Sequence, residues 1–275
     1  MKLTFEGRIT FIGGGNMAQA LIGGLLSQGL KASRVTVSEP VAALREQLSA
    51  RGVHVSTDNR QAVGQADVVV LAVKPQVMGQ VLAELQSVMA GRLVISIAAG
   101  LTTDTLSKML GGHARIVRAM PNTPALVQTG ATGLYAGHAV SAEDRQVAQQ
   151  LLSATGMVLW VADEAQMHAV TAVSGSGPAY FFYWMESMIA AGQALGLDEK
   201  TARDLTLQTA LGAAQMAITS GDSPARLRQN VTSPNGTTQA ALDSMAAHHL
   251  PQLIEQALKA AADRSVTLST ELDQI

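Results

Sequence analysis

Gly13, Gly15 and Ala18 stand at the spacing G-x-G-x-x-A, within a stretch (RITFIGGGNMAQALIGGLLSQGL) that passes from an apolar run through a glycine turn into a helical run. Gly13 permits the tight turn, Gly15 lets a pyrophosphate come up to the backbone, and Ala18 lets the helix pack close to the strand. The helix N-terminus then faces the phosphate charge. That chemistry is dinucleotide binding; the plain alternative is a glycine turn that only tightens a βα unit. A second loop, Thr232 to Thr238 in NVTSPNGTTQAALDSM, gathers hydroxyls, Pro234 and Gly236 just ahead of another helical run. Free backbone N–H groups at such a helix start, with the Thr237 and Thr238 hydroxyls beside them, suit a small carboxylate. Ordinary capping by Ser or Thr is the plain alternative there.

Ligands of an open α/β sheet lie beyond the carboxyl ends of its strands. The run DVVVLAVKPQ turns at Lys74-Pro75, which puts Val73, Lys74 and Pro75 in reach of a cofactor, although a lysine at a strand end is ordinarily just solvated. ISIAAG ends at Ala98-Ala99-Gly100, small residues where a nicotinamide has room. In RAMPNTPALV, Asn122 lies between two prolines and either lines the site or locks the domain junction. His54, His113, His138, His168, His248 and His249 show no metal-type pairing except the adjacent two, which point to different faces of a helix, so no metal is expected.

These residues need a scaffold, and the pattern supplies one. Ile9–Ile12, Val35–Val37, Val68–Val73, Leu93–Ile97 and Ile116–Met120 are short, mostly β-branched runs, with helical patterns such as Val41–Arg51 and Val77–Met89 between several of them. Such alternation predicts βαβ units in a mostly parallel, doubly wound sheet, an α/β fold of Rossmann type. Further strands are expected at Ala131–Ala136 and Val158–Val161 around a helix at Ala142–Thr155. Near Asp163 the character changes, and the chain then reads as helices rich in Ala, Met, Leu and Gln. The division expected is residues 1–163 for dinucleotide binding and 164–275 for an all-helical dimerisation and substrate domain.

Tyr180, Phe181, Phe182, Tyr183 and Trp184 are consecutive, in a chain with only four Phe, three Tyr and two Trp. Consecutive residues on a helix point in all directions, so this helix has no ordinary wet face. Burial between subunits is expected, with a simple core helix as the alternative. Composition agrees: charged residues are only 15% and mean hydropathy is +0.19, which leaves more apolar surface than one monomer normally buries. A net charge of −2 argues against a nucleic-acid partner, and the absence of cysteine excludes disulfides and thiolate metal sites. The uncharged stretch Ile9–Leu30 is broken by glycines, Asn16 and Gln19, so no membrane span or signal is expected and a cytoplasmic protein is.

Taken together, FIGGGNMAQALIGGL, AVKPQ, SIAAG, RAMPNTPA, AVSGSGPAYFF and VTSPNGTTQAAL resemble the pyrroline-5-carboxylate reductase family, in the family's order and over nearly the whole chain. The last motif is the specific one, since general Rossmann enzymes lack it. The resemblance implies reduction of the cyclic imine Δ1-pyrroline-5-carboxylate to L-proline with NADPH or NADH, the last step of proline biosynthesis. It implies a helical domain interlocked in a dimer, and dimers that assemble into a ring of five, with a site drawing on both subunits. Cofactor contacts carry over to Ile12, Gly13, Gly14, Gly15, Asn16, Met17, Ser38, Asn59, Val73, Lys74, Ala98 and Asn230. Substrate contacts carry over to Gly236, Thr237 and Thr238, with Ser176, Gly177 and Pro178 lining the pocket, and Thr238 is the candidate catalytic residue.

Two points stay open at this level. Some family members carry an acid near the proline pocket where this chain reads Gly221-Asp222-Ser223-Pro224, so how the amine is held is unsettled. Glu39 follows the second strand, where an acid usually binds the ribose 2′-hydroxyl and disfavours a 2′-phosphate, yet Ser38, Asn59 and Arg60 are placed to receive one. NADPH is expected, with NADH as the alternative. Competing readings are a β-hydroxyacid dehydrogenase, whose G-x-x-x-N-x-x-K pattern is missing here, and a cofactor-sensing protein without turnover.

Overall fold

The computed structural model describes residues 4–273. Buried β-branched runs make the first strands: β1 (Ile9–Ile12), β2 (Val35–Ser38), β3 (His54–Ser56), β4 (Val68–Leu71) and β5 (Leu93–Ser96). All of β1, β4 and β5 is buried, the pattern of parallel strands covered on both faces. The helices between them are α1 (Asn16–Ser27), α2 (Ala42–Ser49), α3 (Asn59–Val63) and α4 (Pro75–Leu85), followed by α5 (Thr103–Met109). β6 (Ile116–Met120), β7 (Gly130–Ala136), α6 (Ala142–Leu152) and β8 (Gly156–Trp160) complete the sheet. α6 opens on a capping box in which Ser141 and Asp144 each bond the other's backbone N–H.

The eight strands run in the order β3-β2-β1-β4-β5-β6-β7-β8, parallel except where β7 pairs antiparallel with β6. Chain order reverses about β1, so β1 and β4 flank the crevice where such sheets bind ligands. Their register brings Ile12 beside Ser38 and Leu71, which sets the ends of β1, β2 and β4 level. The sheet divides two apolar layers: one holds Leu21, Leu25, Leu48 and Leu151, the other Met78, Leu82, Leu85 and Leu106. Two details depart from the pattern in the sequence. β3 carries no apolar run that announces it and pairs with β2 through Thr36–Ser38. The run expected to Val73 stops as strand at Leu71, because Pro75 already stands in the first turn of α4.

From Gln166 the chain is helical: α7 (Gln166–Val170), one π turn (Thr171–Gly175), α8 (Gly177–Ala194), α9 (Glu199–Thr219), α10 (Pro224–Asn230), α11 (Thr237–Ala247) and α12 (Leu250–Leu272). By packing, the chain forms two units, one of residues up to Ser176 together with those from Ala260 on, the other Gly177–Lys259. Local chemistry explains why the sheet unit extends past Glu164. The Glu164 carboxylate accepts from the backbone N–H and hydroxyl of Thr103 at 2.8 and 2.7 Å and pairs with the buried Arg118 guanidinium on β6 at 3.3 Å. The last turns of α12 belong there too: Leu272 is buried in the sheet core, Ser265 bonds His168 at 2.9 Å, and Thr105 bonds Asp273.

The second unit has few buried side chains of its own. Phe181, Phe182 and Tyr183 on α8 are 67, 62 and 71% exposed, and α9 exposes Leu205, Leu211, Met216 and Ile218. No helix among the described residues is long and apolar enough to cross a membrane.

Candidate active site

The glycine turn sits where β1 meets α1. Gly13 has φ +98°, and a Cβ there would lie 2.8 Å from the Ala72 carbonyl oxygen, so neither conformation nor space admits a side chain. A Cβ on Gly14 would come within 2.8 Å of Leu48. Gly15 differs: its Cβ would meet nothing within 4 Å, so the backbone faces open space. Gly15 is also the N-cap of α1, so the first N–H groups of this twelve-residue helix have no side-chain cap. A glycine that no protein atom demands, at an uncapped helix start, is the mark of a loop that a phosphate approaches.

The turn is held from three sides. The Gly13 N–H donates to the Ser38 carbonyl at 2.8 Å, Gln19 Nε2 donates to the Gly14 carbonyl at 2.9 Å, and the Gly14 N–H donates to the Glu39 carboxylate at 2.7 Å. The other Glu39 oxygen accepts from the Val41 N–H at 2.9 Å, and Glu39 is only 6% exposed. Ile12 is buried beneath the turn, Asn16 is exposed at its rim and Met17 is half-buried.

The other expected cofactor residues are placed unequally. Val73 and Pro75 are half-buried and Lys74 is exposed, all at the end of β4 beside β1. Ala98 is packed in the core, and Ala99 beside it is half-buried just past the end of β5. Ser38 is 3% exposed. Asn59 donates to Glu84 at 3.0 Å and Arg60 to Ser87 at 3.1 Å, so both are engaged with the neighbouring helix region. Asn230 is exposed at the end of α10, in the other unit.

The hydroxyl loop lies in that second unit. Asn235 takes a left-handed φ of 59° and Gly236 is the N-cap of α11, with no side-chain cap bond. Ordinary capping by Thr or Ser is therefore not what this loop does: neither the Thr237 nor the Thr238 hydroxyl closes the helix start. Thr238 is half-buried and Thr237 exposed. Asp222 is exposed in the turn before α10. Ser176 follows the π turn, its N–H bonding Thr171 at 2.8 Å, and Gly177 and Pro178 open α8. π turns concentrate at functional sites, and no sequence pattern announced this one.

Asn122 fastens neighbouring segments to one another. Its amide donates to the Ser174 carbonyl at 3.2 Å and its oxygen accepts from the Ala131 N–H at 2.9 Å, tying the end of β6 to β7 and the π turn. Two further features went unsignalled in the sequence: the Gln19 clasp on the glycine turn, and the Tyr180 hydroxyl, which is buried without a hydrogen-bond partner among the described residues.

Comparison with known proteins decides the family. A family profile described as "Pyrroline-5-carboxylate reductase dimerisation" matches residues 164–268, and one described as "NADP oxidoreductase coenzyme F420-dependent" matches residues 8–100. A pyrroline-5-carboxylate reductase of Pseudomonas aeruginosa is 53% identical over 269 residues, 97% of this chain and 98% of that protein. The chain belongs to the pyrroline-5-carboxylate reductase family. The solved reductase of Coxiella burnetii superposes with a TM-score of 0.92 at 45% identity, covering 96% of this chain and 98% of that one. The Plasmodium falciparum pyrroline carboxylate reductase, solved with NADP bound, gives 0.86 at 29% identity over 96% of this chain and 98% of its own. The exposed aromatic residues of α8 fall inside the match to the dimerisation profile.

Proposed function

We propose that this protein reduces Δ1-pyrroline-5-carboxylate to L-proline, the final step of proline biosynthesis, with NADPH as donor and NADH as its alternative. The observation that carries the reading is the start of α11, a helix N-terminus left uncapped by its own threonines in a family named for a carboxylate-bearing imine. A dinucleotide fits the residues present, since Gly15 faces open space at the uncapped start of α1. Gly13, Gly14, Gly15, Asn16 and Met17 would hold its pyrophosphate region, and Val73, Lys74, Pro75 and the Ala98-Ala99 segment line the strand ends beside it. When bound, it supplies the hydride.

The protein's own part is positioning. An imine nitrogen protonated in water already makes its carbon electrophilic, so the site needs orientation more than a strong acid. The free N–H groups after Gly236 hold the substrate carboxylate, and the Thr238 hydroxyl donates to the ring nitrogen. Ser176, Gly177, Pro178 and Thr237 complete the pocket, and Asn230 serves the cofactor. The working form is a dimer built on residues 164–275, extended to a ring of five dimers, in the cytoplasm.

The test is loss of reduced-nicotinamide absorbance with Δ1-pyrroline-5-carboxylate, for wild type and Thr238→Ala. Turnover in the wild type and a fall in kcat of about 100-fold in the variant are expected, with Thr238→Ser retaining most activity. Full turnover in Thr238→Ala removes Thr238 from the chemistry. Cofactor binding without turnover of the imine favours a sensor instead.

A further inference from the structure

We infer that Leu272, at the end of α12, is a positioning residue for the turn that follows β5, acting through its contact with Gly100; this rests on the reductase reading above. In sheets of this kind the pyrophosphate meets the first helix and the adenosine ribose the second strand. The order β2-β1-β4-β5 then leaves the ends of β4 and β5 to the nicotinamide. Past β5 the chain reads Ala98-Ala99-Gly100, residues so small that the backbone itself sets where a ring can rest.

That turn is fastened from the far end of the chain. Gly100 is buried with φ +82°, and a Cβ on it would lie 3.0 Å from Leu272 Cδ1 and 3.7 Å from Leu268 Cβ, so its backbone runs directly against α12. Leu272 is 6% exposed and packs in the same apolar layer as Leu71, Ala98 and Leu101. On the strand side, the Ile97 N–H donates to the Leu71 carbonyl at 3.1 Å and the Ala98 N–H to Ser96 Oγ at 3.3 Å. On the helix side, Thr103 bonds Glu164 and Thr105 bonds Asp273. Between these anchors, neither Ala99 nor Gly100 makes a backbone hydrogen bond with another described residue. Packing alone holds them, and the side chain packed on Gly100 is Leu272. Shortening it opens space beneath the turn, and a wall displaced by an ångström misaligns hydride transfer. Affinity changes less, because the glycine turn at α1 is untouched.

Leu85 supplies the control. It is fully buried in the same layer and ends α4, where the chain returns toward the start of β5, the opposite end of that strand from Gly100. Wild type, Leu272→Ala, Leu272→Met and Leu85→Ala are compared in melting temperature, in NADPH affinity by calorimetry, in the fluorescence lifetime of bound NADPH, and in kcat and KM. Both alanine variants lose stability through a cavity in one layer. Only Leu272→Ala is expected to shorten the lifetime and to lower kcat about tenfold, with NADPH affinity kept within about threefold. Leu272→Met refills the space and restores both. If Leu272→Ala does not melt cooperatively, Leu272→Val carries the same comparison. A lifetime and kcat no different from those of Leu85→Ala overturn the assignment. If the lifetimes separate while no form of the protein turns over the imine, the reductase reading fails and the role of Leu272 stands.

Discussion

Gly13 shows how one residue carries both the fold and the site. Its φ of +98° belongs to glycine, and a Cβ would press on the Ala72 carbonyl at 2.8 Å. Gly13→Ala is expected to destabilise the protein by about 1–3 kcal/mol, since both the conformation and the contact oppose it. The same change moves the neighbouring N–H groups off the cofactor, so NADPH affinity falls more than stability does. Urea unfolding beside calorimetric titration checks this; a variant that binds NADPH as wild type does would show that the turn tolerates the shift. Glu39 and Gln19 act on the same loop from outside it, one on the Gly14 N–H and one on its carbonyl.

At the scale of elements, α6 is fastened by charge. Asp144 caps its start and receives two bonds from Arg115, at 2.5 and 3.2 Å. Burial pushes the Asp144 carboxyl up, but the hydrogen bonds from Arg115 and Ser141 outweigh it and hold the group below its ordinary 3.8. A depressed carboxyl stabilises the fold above its unfolded value and loses that contribution as pH falls through the folded one. The stability advantage of wild type over Asp144→Asn should therefore shrink between about pH 5 and pH 2. Thermal melts across that range measure it, and an advantage independent of pH would mean the carboxylate is not the source.

For the whole molecule, the second unit makes sense only as part of an assembly. Phe181, Phe182 and Tyr183 lie largely exposed on α8 of a single chain, and each ring buried against a partner is worth about 2 kcal/mol. Replacing Phe181 and Phe182 with Asp should release monomers at unchanged helix content. Light scattering with far-ultraviolet circular dichroism reads both, and an intact dimer would place the interface on another face.

The sheet was legible in the sequence because burial on both sides leaves a mark on every residue: ITFI, VVVL and LVIS announce β1, β4 and β5 wherever they lie. The glycine turn was legible for a similar reason, since close approach admits few residue types. The family motifs, local and in order, also spoke from sequence alone. Only the tertiary structure showed that Asn122 bonds Ala131 and Ser174, that Asn59 and Arg60 are held by Glu84 and Ser87, and that Glu39 is locked to Gly14. It also placed β3, whose pairing with β2 depends on a neighbour rather than on its own apolar content. Hydrogen bonds between residues distant in the chain leave no period or composition behind. A polar residue reads the same in sequence whether its donors are free for a ligand or already engaged, and the packed fold decides which.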